Sequence, residues 1–383
     1  MKRIQESALI ILLMTLIATI VGLYCLSGEL SLYHFDVDQA DCTLLISPSG
    51  VSVLFDCGDA GWNSSRELRD LVPQIESILG SRTLDYIVVS HLHVDHVGYV
   101  GYGGLWGLLQ TYGFQAQNIL IRDFTAYPGD LKTKGFGLWL EYFENNSATV
   151  ALRISTLGDV VDLQDGVTMT VCSVDGNGAP SPNTPDSPCP VSGNELSLGI
   201  LVSYGDFQEW IGGDLGGTCI QRWFGPNCVQ YFDIETRAAA LIGDVEVLRV
   251  NHHGSEYSSN TVFLENLDPE VSIISVGETK SYGHPAVSAL HRLLATSDVY
   301  VTTLGNKNGP IVEGGIETTD YPNLFVGQGT IMVVTDGVTY SVNGVEYAAS
   351  SAARVDGDSD GYFVEVDPDD SDPDVLPELN SLD

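Results

Sequence analysis

Hydrophobic positions along the chain follow two periods. Short apolar or alternating runs predict strands over 51–56, 86–90, 118–122, 167–174, 196–204, 209–213, 245–251, 271–276 and 300–304. Between them, segments with apolar residues at helical spacing predict helices over 66–79, 139–145, 260–267 and 286–295. Alternation of this kind implies an α/β domain whose sheets are covered by helices. Residues 42–46 and 51–55 read as two strands joined by the turn Ser47-Pro48-Ser49-Gly50, a hairpin centred near residue 49 or 50. The proline-rich stretch 175–193 reads as a surface loop.

Two segments break the alternation. Lys2 and Arg3 precede an apolar run over 8–26, at the short end of a bilayer span. This run reads either as a signal peptide or as an uncleaved anchor with its basic end cytoplasmic. Both readings put the rest of the chain outside the cytoplasm, secreted or membrane-anchored. Beyond 347 the chain turns acidic and polar. The expected organisation is therefore a leader or anchor over 1–28, a hydrolase domain over 29–347 and an acidic tail over 348–383. In that tail Asp356, Asp358, Asp360 and Asp367 stand at calcium-loop spacing, with Gly361 at the sixth position. A solvated acidic tail is the competing reading.

Charge narrows the partners. The chain carries 51 acids against 16 bases, a net −35, and the acids are not confined to the tail. A surface this acidic suits a high-salt milieu, where screening removes most self-repulsion. No basic groove for nucleic acid is visible, and no protein partner can be inferred. The seven cysteines include Cys25 in the apolar run, and the other six permit disulfides in an exported chain. The hairpin would bring Cys42 opposite Cys57, and the pairs Cys172–Cys189 and Cys219–Cys228 would each close a local loop.

The chemistry concentrates at His91-Leu92-His93-Val94-Asp95-His96, which follows the apolar run Tyr86-Ile87-Val88-Val89. Imidazole and carboxylate are good ligands for zinc and similar transition metals. Four such residues in six positions crowd one ion but can be divided between two. This run resembles the signature of the metallo-β-lactamase superfamily, whose fold is a four-layer αβ/βα sandwich with a dinuclear site at one edge. Leu54-Phe55-Asp56-Cys57-Gly58, Trp210-Ile211-Gly212-Gly213-Asp214 and Leu248-Arg249-Val250-Asn251-His252-His253-Gly254-Ser255 look like its further strand-end motifs, in its order. The flavour is similar to the ComEC-type branch, the hydrolase domain of DNA-uptake competence proteins. Phe35-Asp36-Val37-Asp38-Gln39-Ala40-Asp41 resembles that branch's opening segment, with Asp38 and Ala40 where it has two glycines.

The resemblance implies two divalent transition metals, zinc or manganese. It puts His91 and His93 on the first, and Asp95, His96 and one of the His252/His253 pair on the second. His253 is favoured for the second metal, with Asp214 as bridge. It implies Asp56 as the brace that orients imidazoles. Many superfamily members use one more histidine on the first metal, but no histidine lies between His96 and His252. Asn194 takes about that place, so the first site is expected to be ligand-poor. Asp95 and His284 are the residues expected in catalysis, His284 by protonating a leaving group or holding a phosphate. The reading that follows is an exported hydrolase using a metal-bound hydroxide, with a small phosphodiester or nucleic acid as substrate. Two alternatives stand beside it. One is hydrolysis of a carboxylic ester, lactone or β-lactam. The other is a non-catalytic, metal-stabilised surface-binding protein.

Overall fold

The computed structural model describes residues 28–58, 68–124, 134–146, 151–177, 189–224, 227–279 and 282–349. The apolar segment over 8–26 and the four tail aspartates Asp356, Asp358, Asp360 and Asp367 lie outside the described residues. Among the described residues no helix is long and apolar enough to cross a membrane.

Strand β3 (Ser52–Phe55) shows how the sequence builds layers. All four of its residues are buried, yet Val53 and Phe55 enter one core and Leu54 another. Successive side chains of a strand point to opposite faces, so a strand buried on both sides must lie between two apolar layers. Its partners are β2 (Thr43–Ile46), antiparallel, and β4 (Thr83–Val88), parallel. With β1 (Leu30–His34), β5 (Gln115–Ile121) and β6 (Ala151–Ile154) they form most of one sheet. The chain returns to that sheet at its far end through β17 (Ile331–Thr335), β18 (Thr339–Val342) and β19 (Val345–Ala348), so that β17 pairs with β1.

The second sheet takes the middle of the chain. It runs from β7 (Val160–Asp162), β8 (Val167–Ser173), β9 (Gly199–Tyr204) and β10 (Phe207–Ile211) to β13 (Val247–Arg249), β14 (Val271–Ile274), β15 (Asp298–Val301) and β16 (Leu324–Phe325). Leu32, Leu45 and Val53 of the first sheet meet Val171, Ile200 and Val202 of the second in the inter-sheet core. Helices Leu68–Leu79 and Lys134–Asn146 cover the outside of the first sheet through Ile75, Trp139 and Phe143. Helices Glu235–Ile242, Thr261–Leu267 and Val287–Leu294 cover the second through Ala238, Phe263 and Leu290. The result is a four-layer αβ/βα sandwich, the fold expected of the metallo-β-lactamase superfamily. Among the polar pairs between the sheets, His34 Nε2 lies 3.0 Å from Glu209 Oε1 with both side chains fully buried, and His34 Nδ1 faces Thr43 Oγ1 at 3.0 Å.

Strand and helix positions follow the periodic segments within a few residues. Several elements fall outside those segments, among them β1, β6, β7, β16, β17, β18 and β19, a hairpin over 217–233 and a helix over 235–242. Strands β11 (Gly217–Phe224) and β12 (Asn227–Asp233) pair only with each other and lie outside both sheets. With little buried face to fill, their sequence shows no clean alternation. Helix Glu235–Ile242 packs largely through alanines, which give little hydrophobic contrast.

The cysteine pairing differs from expectation. Cys189 is joined to Cys228, which excludes both Cys172–Cys189 and Cys219–Cys228. The reason is that Ser192 N donates to Gln230 O and Gln230 N to Pro190 O, so segment 189–193 runs beside β12 and aligns the two sulfurs. Cys42 and Cys57 remain thiols buried in the outer core of the first sheet. The hairpin register pairs Thr43 with Phe55, placing position 42 opposite Asp56 rather than Cys57. Asp56 then turns the chain through φ 53° before Cys57. The thiols still touch, and that contact, together with burial, pushes the Cys42 thiol well above its ordinary range.

Candidate metal centre

The parallel strands β3, β4, β10 and β13 all deliver loops at their carboxyl ends to one edge of the sandwich, the edge where α/β sheets hold ligands. After β4, Ser90 and His91 lead into the single helical turn Val94–Val97. After β3, Asp56 takes a left-handed backbone and reaches that loop. Its Oδ1 accepts from Ser90 N at 2.8 Å, and its Oδ2 accepts from Ser90 Oγ at 2.6 Å and faces His96 Nδ1 at 2.8 Å. With Nδ1 engaged, His96 presents Nε2 inward, the orientation a bracing carboxylate gives a metal-binding imidazole.

After β10, Gly213 (φ 61°) turns the chain so that Asp214 faces the same point. A Cβ on Gly213 would come within 2.7 Å of Ser90 Cβ, so only glycine lets the two loops touch. After β13, His252 and His253 both adopt left-handed backbone, with φ 53° each. Two successive non-glycine residues in that region store strain, a pattern that clusters at functional sites. The effect is that both rings approach Asp214. His253 Nδ1 donates to Ser275 O at 2.9 Å and lies 3.3 Å from Asp41 Oδ1, which leaves Nε2 for the site. Asp41 is itself held by the Arg249 guanidinium.

Among the described residues three groups of potential ligands result, and besides Asp41, Asp56 and His96 there are two that share one carboxylate. Asp95, His96, Asp214 and His253 bring one ligand atom each within 4.8 Å of one another, and so do His91, His93 and Asp214. Asp214 Oδ1 lies 3.0 Å from His96 Nε2 and 3.8 Å from His253 Nε2. Its Oδ2 lies 3.8 Å from His91 Nε2 and 3.7 Å from His252 Nε2. His91 Nε2 and His93 Nδ1 face each other at 3.0 Å. Asp95 Oδ2 stands 3.6 Å from His253 Nε2.

A divalent cation fits this donor set. His96 Nε2, His253 Nε2 and Asp214 Oδ1 are all buried without a hydrogen bond, and they converge on one point. Nitrogen and carboxylate ligands about 2.0–2.2 Å from a zinc-like ion have mutual separations of this order. The electrostatics agree. Burial works against charge on Asp214, but His96, His252 and His253 hold its carboxyl well below the usual range. Burial also works against a charged His253, yet Asp41 and Asp214 push it up to about 10. Burial and the neighbouring His96 and His93 hold His91 well below the histidine range.

The remaining expected residues have definite places. His252 sits on the His91 side of Asp214, not among the Asp95 group, and Asn194 Nδ2 lies 3.2 Å from its Nε2. Asn194 Oδ1 is buried without a hydrogen bond. His284 faces the two histidines, with ring centroids 5.7 Å from His252 and 6.3 Å from His253. Burial, with those two neighbours, lowers it to about 3, so it is a neutral imidazole at pH 7. Asp38, in a glycine position of the resembled motif, keeps a left-handed backbone with φ 61°. Its Oδ2 accepts from Thr279 Oγ1 at 2.5 Å, a side-chain bond that glycine could not make.

Other residues of the site carried no separate sequence signal. Asp41 was visible only as the end of a motif, and Ser90 only as the residue before His91. Glu235 is fully buried and pins the histidine loop. It accepts from Asn251 Nδ2 at 2.8 Å, Ser259 N at 2.7 Å and Asn260 N at 2.9 Å. A cleft of about 1030 Å³ opens beside the ligand groups, with His252, Tyr257, Tyr282, His284 and Arg222 on its walls.

No family model matches the chain. It is 26% identical over 302 residues to ComE operon protein 3 of Bacillus subtilis, a match covering 75% of this chain and 33% of that relative. The chain thus matches about a third of the relative's length. Among solved structures it is similar to zinc-bound PqqB from Methylobacterium extorquens (TM-score 0.40, 15% identity, 77% of this chain and 87% of that one). It is also similar to a mutant metallo-β-lactamase from Cronobacter sakazakii (TM-score 0.33, 17% identity, 57% of this chain and 75% of that one). The sandwich and the order of its strand-end motifs are those the resemblance to the metallo-β-lactamase superfamily implies, and over 302 residues the chain is similar to ComE operon protein 3.

Proposed function

We propose that the chain is a metal-dependent hydrolase of phosphodiesters, working outside the cytoplasm with two divalent ions of zinc or manganese type. The observation that carries this reading is the pair of ligand groups joined through Asp214 beside an open cleft. When bound, such ions supply Lewis-acid charge to a phosphoryl oxygen and acidify water. The chain's own residues do the rest. Asp214 divides its oxygens between the two groups and fixes their spacing. Asp56 and Asp41 hold the rings of His96 and His253 so that Nε2 points inward. His284, neutral and at the cleft wall, has a ring N–H to offer a non-bridging phosphate oxygen. Placement of the chain outside the cytoplasm rests on the apolar run near its beginning and stays part of the proposal.

The test is hydrolysis of bis-p-nitrophenyl phosphate and of single-stranded DNA by metal-stripped protein reloaded with zinc or manganese. Turnover that returns with metal and is lost in Asp95→Ala is expected. Turnover of carboxylic esters, lactones or β-lactams, without phosphodiester cleavage, would reject phosphodiesters and keep the hydrolase. Bound metal with no turnover on any of these substrates would favour a binding protein.

A further inference from the structure

The β11–β12 hairpin belongs to neither sheet, yet it is fastened to the body at three points. The Cys189–Cys228 disulfide ties β12 to segment 189–193, Gln230 bridges that segment by two backbone hydrogen bonds, and Gly217 N donates to Tyr257 O at 2.7 Å. An element outside both sheets that gives the core little beyond Phe232, yet is held this firmly, is placed for what it presents. It presents flat groups. Arg222 of β11 lays its guanidinium 4.4 Å above the Tyr257 ring, and Tyr231 of β12 stacks on Tyr257 with ring centroids 6.1 Å apart and an interplanar angle of 29°. Across the same cleft stands Tyr282, 67% exposed, its ring 5.8 Å from that of His284. The cleft walls therefore run from the aromatic ladder to His252 and His284 beside the ligand groups.

The chemistry of this wall selects a planar ring over a bare anion. Arg222 is paired with Glu256 at 3.4 Å, and Glu313 lines the cleft too, so the wall offers little net positive charge. Its stacked faces attract a π-system through ring contact and cation–π attraction. At about 1030 Å³ the space is large enough for a nucleotide-sized ligand. From these observations we infer that Arg222, Tyr231 and Tyr257 form a stacking subsite for the ring of a nucleoside attached to the scissile phosphodiester. The subsite reads the presence of a ring and is tolerant of which base carries it, because every base has a π-face. The inference rests on the phosphodiesterase reading for its orientation toward the metal centre, but its binding component stands separately.

Two measurements on the metal-loaded full chain test it. Calorimetry compares thymidine monophosphate with deoxyribose 5-phosphate, and kinetics compares thymidine 5′-p-nitrophenyl phosphate with methyl p-nitrophenyl phosphate, which share a leaving group. Wild type should favour the ring-bearing member of each pair. Tyr231→Leu and Arg222→Ala should each weaken that preference, by about tenfold for the tyrosine. The loss should fall on Kd and KM for the ring-bearing member of each pair. Tyr231→Phe keeps the ring and should restore the preference. Unchanged metal content and unfolding midpoint establish that the variants are folded. Equal binding of both phosphates by wild type overturns the subsite, as does a preference that survives Tyr231→Leu and Arg222→Ala. Ring-dependent binding without any phosphodiester turnover would support the subsite and reject the activity. Equal turnover of the two esters, with no binding preference, would keep the activity and reject the subsite.

Discussion

The two halves of the metal centre are built differently although one carboxylate serves both. On the Asp95 side three further donors converge on Asp214 Oδ1, and bracing carboxylates stand behind two of them: Asp56 behind His96 and Asp41 behind His253. On the His91 side His91 and His252 face Asp214 Oδ2, and His93 stands beside His91. His252 is partly exposed there and faces the amide of Asn194. Outer partners fix ring orientation and typically contribute about 10–100-fold to metal affinity. The difference teaches that a shared bridge does not make equivalent sites. One half is preorganised by buried charge, and the other is left open toward the cleft.

The strongest way to break the comparison is to remove what the halves share. On the proposed two-ion reading, Asp214→Ala should abolish binding of both ions, counted by metal analysis, and lower hydrolysis on the order of 10³-fold or more. Next in size is a contrast between His96→Ala and His93→Ala. The first removes a ligand and also leaves Asp56 buried without its ionic partner, a type of loss worth about 3–5 kcal/mol. Its unfolding midpoint should fall well below wild type, whereas His93→Ala should unfold near wild type and only bind one ion more weakly. Equal stability loss in the two variants would contradict the asymmetry. Smaller still is the effect of His252→Ala, expected to weaken one ion by about tenfold and spare the other. If it removes the tightly held ion instead, the assignment of His252 to the His91 side is wrong.

A separate effect, read in stability rather than in metal binding, concerns Glu235, which pins the loop carrying His253. Burial pushes its carboxyl up to about 7, against the hydrogen bonds from Asn260, Ser259 and Asn251. Between pH 4.5 and 7 the folded protein therefore holds a proton that the unfolded chain has released. The stability tied to this group is complete below 4.5 and declines as pH rises toward 7. Relative to Glu235→Gln, wild type should lose on the order of 3 kcal/mol across that window. Parallel stability–pH curves for the two proteins would remove Glu235 from this role.

Much of this architecture was legible because its signals are local. A strand followed at once by three histidines and an aspartate announces itself, and β3 and β4 have the apolar runs of doubly buried strands. Register and long-range pairing are not local. Cys228 sits in a hairpin with little alternation, so its pairing with Cys189, 39 residues away, could not be read from spacing. The division of Asp214 between its oxygens, which assigns His252 to one side and His253 to the other, depends on two left-handed residues in succession. Nothing in His-His-Gly-Ser as a string states that backbone. Glu235 was invisible for a similar reason: its partners lie 16 to 25 residues further along the chain.

The pairing of β1 with β17 has a consequence for attachment. Leu30 lies opposite Thr335, and Ala348 opposite Thr339, so the two ends of the described domain emerge together at one end of the first sheet. His34, at the other end of β1, leads into the loop that carries Asp41. The catalytic edge and the points of departure thus lie at opposite poles, separated by the length of the strands. Tethering through either flank would leave the cleft facing away from whatever holds the chain, open to ligands arriving from the far side.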